Sequence, residues 1–364
     1  MAMAPRMQKS AIKILSADAK RHQSAWDDAA VEHAVRLIYR ACCLAGSGDL
    51  ISDVASGSVR RAIERRNTPA LFDWLVSGLS YQGISDRVAH QYMRQHGRVR
   101  WRDIEASLGR RVGCPKLRTY WHFHDCRYDK GSRSCAEPDR ISRCPLPRHD
   151  LRNGRLNQTA YSLYLFIRDI ADGDLVAWID RQLAEADRDG DTDRLERMGD
   201  ALIEPLRNVF GVSDKVLTMV LSGLLLAAPG ERHLWVETGA GLIAVDSLVH
   251  NFLHRTGILH RLAGQHAYGV ACYRPCGCAD IIRAVARRID ASQFNRQFPQ
   301  TFPRFVQHAI WRYCAQQELD ICNGNRIDDH KNCDNIYCRL HSICDRITLN
   351  NLSIKKLSTV YVSI

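Results

Sequence analysis

No apolar run in this 364-residue chain is long enough to cross a bilayer. The longest, residues 216–228, falls short of the roughly 20 residues a spanning helix needs and reads as a buried helix. The N-terminal region lacks the apolar core of a secretory signal, since the stretch 11–15 is too short. Sustained alternation of apolar and polar residues is missing, which argues against extended sheet. Internal repeats, low-complexity tracts and the paired acidic residues of a metal-dependent nuclease are also missing. These absences lead to an expectation of a nearly all-α, intracellular protein of the cytoplasm or nucleoid. It would have no membrane partner, and a monomer is expected.

What is present is positive charge and cysteine. The net charge is +11, and much of it is local: residues 94–155 hold sixteen Lys and Arg against seven Asp and Glu. A field of this kind attracts a polyanion, most simply nucleic acid, although a solvated basic surface without a partner gives the same composition. Tyr120, Trp121, Phe123 and Tyr128 in this stretch suit either a base-stacking wall or local packing.

Fourteen cysteines exceed what a reducing cytosol usually tolerates unless most are ligands or buried thiols. Cys42 and Cys43 are adjacent in a helical pattern and read as core. Cys114, Cys126, Cys135 and Cys144, with His122, His124 and His149 as substitutes, lie in a loop-like basic stretch where a metal, zinc or iron–sulfur, could organise a segment without its own apolar core. Cys272, Cys276 and Cys278 form a tight group, read as buried thiols with a third metal site as the alternative. Cys314 stands near Cys322, Cys333, Cys338 and Cys344, which close the globular part. Four thiolates can hold either a 4Fe–4S cluster or tetrahedral zinc.

Helical periodicity predicts helices over 29–43, 59–66, 71–80, 84–96, 101–108, 158–170, 175–187, 194–209, 215–227, 280–289 and 302–316. Residues 229–241 are expected to form a loop. The predicted organisation is a flexible N-terminus (1–24), a helical lobe from both ends of the chain (25–112 and 258–321), a basic Cys/His-rich insertion (113–155), a second helical lobe (156–257), a four-cysteine loop (322–345) and a tail (346–364).

Two local patterns carry chemistry. In residues 243–258, Asp246 stands where a short apolar run ends and an amphipathic helix begins, with Val249, Phe252 and Leu253 on its buried face. The positive end of a helix favours an anion there, so Asp246 is either a plain N-cap or a placed carboxylate. In residues 206–220, a helix, a short hairpin and a second helix follow one another, and Gly211 permits positive φ at the turn. N–H groups of such a hairpin bind phosphate without reading sequence, unless the segment is an ordinary helical corner.

The hairpin and the Val-Asp-x-x-Val…Arg-Thr-Gly pattern at 245–257 resemble the helix-hairpin-helix DNA glycosylase superfamily, of the endonuclease III type. Gly211, Val212 and Lys215 match its hairpin, whereas Phe210, Ser213 and Leu217 replace its proline, second glycine and alanine. The segment 70–85 is similar to its early helix ending in Ser-x-Gln, and the C-terminal cysteines resemble its iron–sulfur loop.

The resemblance implies an all-α, two-lobed helix-hairpin-helix glycosylase fold with metal-stapled loops, which flips a modified or mismatched base from DNA and cuts its N-glycosidic bond. Asp246 would stabilise positive charge on the sugar. Lys215 would be the nucleophile of an associated AP lyase activity, or else a phosphate contact. Gln82 would fill the space of the extruded base, and Gly211, Val212, Ser213 and Arg255 would bind DNA. Cys322, Cys333, Cys338 and Cys344 would hold the cluster, with zinc as the alternative. A monofunctional, water-using glycosylase and a non-catalytic DNA-binding protein remain the competing readings.

Overall fold

The computed structural model describes residues 26–46, 50, 57–80, 86–109, 114–129, 134–137, 155–188 and 194–349. In chain order the helices are α1 (Asp28–Ala45), α2 (Ser58–Glu64), α3 (Thr68–Leu79), α4 (Asp86–His96), α5 (Trp101–Gly109), α6 (Tyr120–Phe123), α7 (Arg155–Asp169), α8 (Leu175–Ala186), α9 (Arg194–Leu206), α10 (Asp214–Leu226), α11 (His233–Gly241), α12 (Ser247–Arg255), α13 (Ile258–Arg261), α14 (Cys278–Ala286) and α15 (Pro303–Cys314). The strands β1 (Tyr128–Asp129) and β2 (Ser134–Cys135) pair antiparallel, Tyr128 opposite Cys135. The protein is therefore mostly helical, as its periodicity predicts. Among the described residues no helix is long and apolar enough to cross a membrane.

The chain divides into two compact units, one made of residues 1–50 and 243–364, the other of 51–242. This division differs in its boundaries from the lobes drawn above. Residues 57–109 belong with the hairpin, because α3 packs against α2, α5, α7, α8 and α10. Residues 243–257 belong with the chain ends, because α12 packs on α13 and α15.

In the unit 51–242, α10 is apolar nearly all round and sits at the centre of the core with Leu71, Phe72, Tyr161, Phe166 and Trp235. Side chains fix the helix starts: Asn67 accepts from the Ala70 N–H at 3.1 Å, and Asp174 accepts from the Ala177 N–H at 2.9 Å. Residues 233–241, expected to be loop, form α11. Gly239 is what allows it, since a β-carbon there would stand 2.9 Å from Leu225 Cβ. Trp235 anchors the helix by donating to Asp180 Oδ1 at 2.7 Å.

In the other unit, α1 opens on Asp27, which accepts from the Ala30 N–H at 3.2 Å, and it packs against α13, α14 and α15. Helix α12 lies on α15, with the rings of Phe252 and Tyr313 5.9 Å apart. This helix organises the candidate site.

Candidate metal and acid site on one helix

Residues 243–245 are buried, and Asp246 then takes an extended conformation as the N-cap of α12. Its Oδ1 accepts from the Val249 N–H at 2.9 Å. The carboxylate is therefore held at the positive end of the helix, where its charged form is favoured. Burial pulls the Arg304 guanidinium down to about 10, and the Asp246 charge works against that fall. Tyr268 is pushed up, first by burial and then by Asp246.

One turn further along α12, His250 meets three residues from the following segment. His250, His266, Cys272 and Cys278 each offer a ligand atom, and all four atoms lie within 4.8 Å of one another. These residues could hold a metal ion. Cys278 hydrogen-bonds Cys272 and holds that thiol below its ordinary value, against the opposing effect of burial. The same bond and burial push Cys278 up. Cys276 is not part of the group: its φ of 62° is left-handed, and its N–H donates to Asp280 Oδ2 at 3.1 Å. Cys272 and Cys278 are buried thiols, as expected, and they also stand where the alternative of a third metal site needs them. The overlooked signal is a pair of histidines, 250 and 266, upstream of two cysteines spaced by five residues.

The far end of α12 faces a second thiol group. Cys322, Cys333, Cys338, Cys344, Arg255 and Tyr313 line one pocket. Cys314 hydrogen-bonds Cys322 and lowers its thiol, whereas burial pushes Cys344 up to about 12. Tyr313 Oη lies 3.1 Å from Cys338 Sγ, and the Cys344 thiol faces the Arg255 carbonyl at 3.6 Å.

Arg255, expected at the DNA surface, is instead 3% exposed. Its guanidinium pairs with Asp329, and its Nε has no hydrogen-bond partner among the described residues. The surface role fails because the last turn of α12 is covered by the C-terminal segment, where Ile347 N–H donates to the Arg255 carbonyl at 2.9 Å.

The remaining expected residues lie in the unit 51–242. Gly211 has φ of 71°, the left-handed turn that its position requires. Ser213 is the N-cap of α10, with Val212 and Lys215 half-buried on either side. The hairpin is tied to α7, since Thr159 Oγ1 donates to the Phe210 carbonyl at 2.6 Å and the Phe210 N–H donates to Ser162 Oγ at 3.3 Å. The Phe210 ring also packs on Phe123 at 5.3 Å, which gives this hairpin an aromatic anchor where the family pattern has proline. Gln82, Cys144 and His149 lie outside the described residues. Cys114, Cys126 and Cys135 do not form a metal-ligating group among the described residues. Cys114 and Cys126 instead pack against the core, and Gln158 Nε2 approaches Cys126 Sγ at 3.7 Å. Tyr120 and Phe123 are core, whereas Trp121 is exposed.

No protein-family model, curated protein or solved structure matches this chain.

Proposed function

We propose that the protein is a DNA base-excision glycosylase of helix-hairpin-helix type, which cuts the N-glycosidic bond of a modified or mismatched base. The observation that carries this reading is α12 itself. An acid caps its start, and its last turn, at Arg255 and Thr256, lines the pocket of the four C-terminal cysteines. These are the two segments in which the motif resemblance lies, 245–257 and 322–344.

A stacked base hides its glycosidic bond, so the nucleotide must leave the helix at a cost of a few kcal/mol. Cleavage builds positive charge on the sugar, and the fixed carboxylate of Asp246 is suited to stabilise it. The Gly211–Ser213 turn offers main-chain N–H groups to a phosphate. Lys215 is the candidate amine for an associated lyase step, forming a Schiff base at C1′ that resolves by β-elimination.

Cys322, Cys333, Cys338 and Cys344 would hold a 4Fe–4S cluster. Four thiols that line one pocket can hold such a cluster, with zinc as the alternative. The group supplies anionic charge and rigidity to the C-terminal loop, and Arg255 offers it a buried positive partner.

Oligonucleotides carrying one lesion each test the reading. The wild type releases at least one base, and Asp246→Asn abolishes release while keeping DNA affinity. Intact DNA binding without release from any lesion would leave a binding protein, the reading in which Asp246 only caps its helix. Borohydride trapping separates the two enzymes: an adduct that Lys215→Gln removes indicates lyase chemistry, and no adduct indicates a water-using glycosylase.

A further inference from the structure

We infer that His250, His266, Cys272 and Cys278 form a structural zinc site that clamps residues 264–278 onto the helix capped by Asp246. This is independent of the proposed activity and of the four-cysteine pocket, with which it shares no residue.

The distances fit one tetrahedral ion. Zn–S bonds near 2.3 Å and Zn–N bonds of 2.0–2.1 Å give sulfur–nitrogen edges of about 3.6 Å in a regular tetrahedron. Three such edges are present: His250 Nδ1 lies 3.4 Å from Cys278 Sγ and 3.6 Å from Cys272 Sγ, and His266 Nε2 lies 3.3 Å from Cys278 Sγ. The donor set contains no oxygen, which disfavours magnesium and calcium. Two histidines and two cysteines can also hold a two-iron cluster, but there the nitrogens and sulfurs bind different irons. Here every one of these contacts pairs a nitrogen with a sulfur at single-ion spacing.

The surroundings match a ligand set. The Nδ1–H of His266 donates to the Gly264 carbonyl at 2.6 Å, which fixes the tautomer and turns the Nε2 lone pair toward Cys278. In His250 it is Nδ1 that faces both sulfurs, while Nε2 is buried with no hydrogen-bond partner among the described residues. His250, Cys272 and Cys278 are almost wholly buried, with Cys278 at the first turn of α14. Four protein ligands close the coordination shell, the mark of a structural rather than a catalytic zinc.

The clamp has a clear local purpose. Residues 264–278 hold only a short 3-10 turn at Val270–Tyr273, and Tyr268 and Val270 point to solvent. Such a segment has little core of its own. Fixing Cys272 fixes its neighbour Tyr273, whose hydroxyl accepts from the Val245 N–H at 2.9 Å, one residue before Asp246.

Metal analysis of the purified full-length protein tests this, with cobalt as the spectroscopic probe. The expected result is about one zinc per chain, replaceable by Co²⁺ with the visible bands of a tetrahedral mixed thiolate–imidazole site. Cys278→Ser should lose the zinc and Cys276→Ser should keep it. Cys338→Ser, which alters the other pocket, should keep it too. Should Cys278→Ser fail to fold, alkylation of the wild type decides: zinc should protect Cys272 and Cys278 at least tenfold relative to Cys276. Absence of zinc, an octahedral cobalt spectrum, or equal alkylation with and without zinc would overturn the assignment.

Discussion

Asp345 sits directly over Gly257, so closely that a β-carbon on the glycine would overlap its carboxylate. Gly257 has φ of 83°, the left-handed conformation that ends α12 and starts α13. Asp345 is held there by Arg261 at 2.7 Å and follows Cys344 of the thiol pocket. Gly257→Ala should therefore act twice. The backbone alone costs about 1–2 kcal/mol, and Asp345 must also move. The expected outcome is a lower melting temperature together with faster alkylation of Cys344. A stable variant with unchanged Cys344 labelling would show that the C-terminal segment is not seated on this glycine.

The pair Arg255–Asp329 is unequal. The arginine is 3% exposed on its side chain and the aspartate 46%. Asp329→Asn leaves the buried Arg255 guanidinium without its carboxylate partner, which destabilises the fold, though by less than in a fully buried pair because Asp329 is half-exposed. On the proposed function, a cluster held by the four thiolates of the adjoining pocket would supply compensating negative charge. Urea denaturation of Asp329→Asn should thus show the larger loss in iron-free protein and a smaller one after iron loading. Equal losses in both states would mean that Arg255 does not sense the charge of the pocket.

Helix α11 gives a third test. Gly239 faces Leu225 and Leu226 of α10, and a β-carbon would approach the Leu226 N to 3.1 Å. Ser222 Oγ also donates to the Gly239 carbonyl at 2.8 Å. Gly239→Ala gains helix propensity of about 1 kcal/mol but forces the two helices apart, and overpacking of this kind costs about 1–3 kcal/mol. The net effect expected in urea denaturation is destabilisation. A stabilised variant would mean that α10 and α11 can separate freely.

The same glycine explains one limit on what the chain reveals by itself. Periodic helices such as α7, α8 and α10 are legible because each buries a continuous apolar stripe. Helix α11 is short, follows Pro229 and Gly230 and contains Gly239 and Gly241, all of which read as loop punctuation until close packing on α10 is seen. The strands β1 and β2 span two residues each, too few for alternation to register. The left-handed Gly211 and the Asp246 cap were legible, because turn and cap chemistry is local. The metal-ligating group was not: its four residues come from α12, a loop, a 3-10 turn and α14, and His250 reads as one more residue of an amphipathic helix. Burial of Arg255 was hidden for the same reason, since the segment covering it lies more than 70 residues away, at Asp329.

Acid should unfold this protein partly through histidines that are buried neutral. Burial, then His260, draws His254 down to about 4, and its Nδ1 has no hydrogen-bond partner among the described residues. Burial, then Arg304, draws His308 down to about 3. Below their ordinary value near 6.5, the unfolded chain takes up protons that the folded chain refuses. Their contribution to stability is therefore complete above pH 6.5 and falls as the pH drops toward 4 for His254 and toward 3 for His308. The slope is up to about 1.4 kcal/mol per pH unit for each histidine. The ring of His308 stacks on Trp311 at 5.5 Å, so His308→Phe keeps a flat ring and removes the titration. Melting temperatures of both proteins between pH 7.5 and 5 should diverge, with the variant losing less. Acid release of metal affects both alike and cancels in the difference, so parallel curves would mean that His308 is protonated in the folded protein.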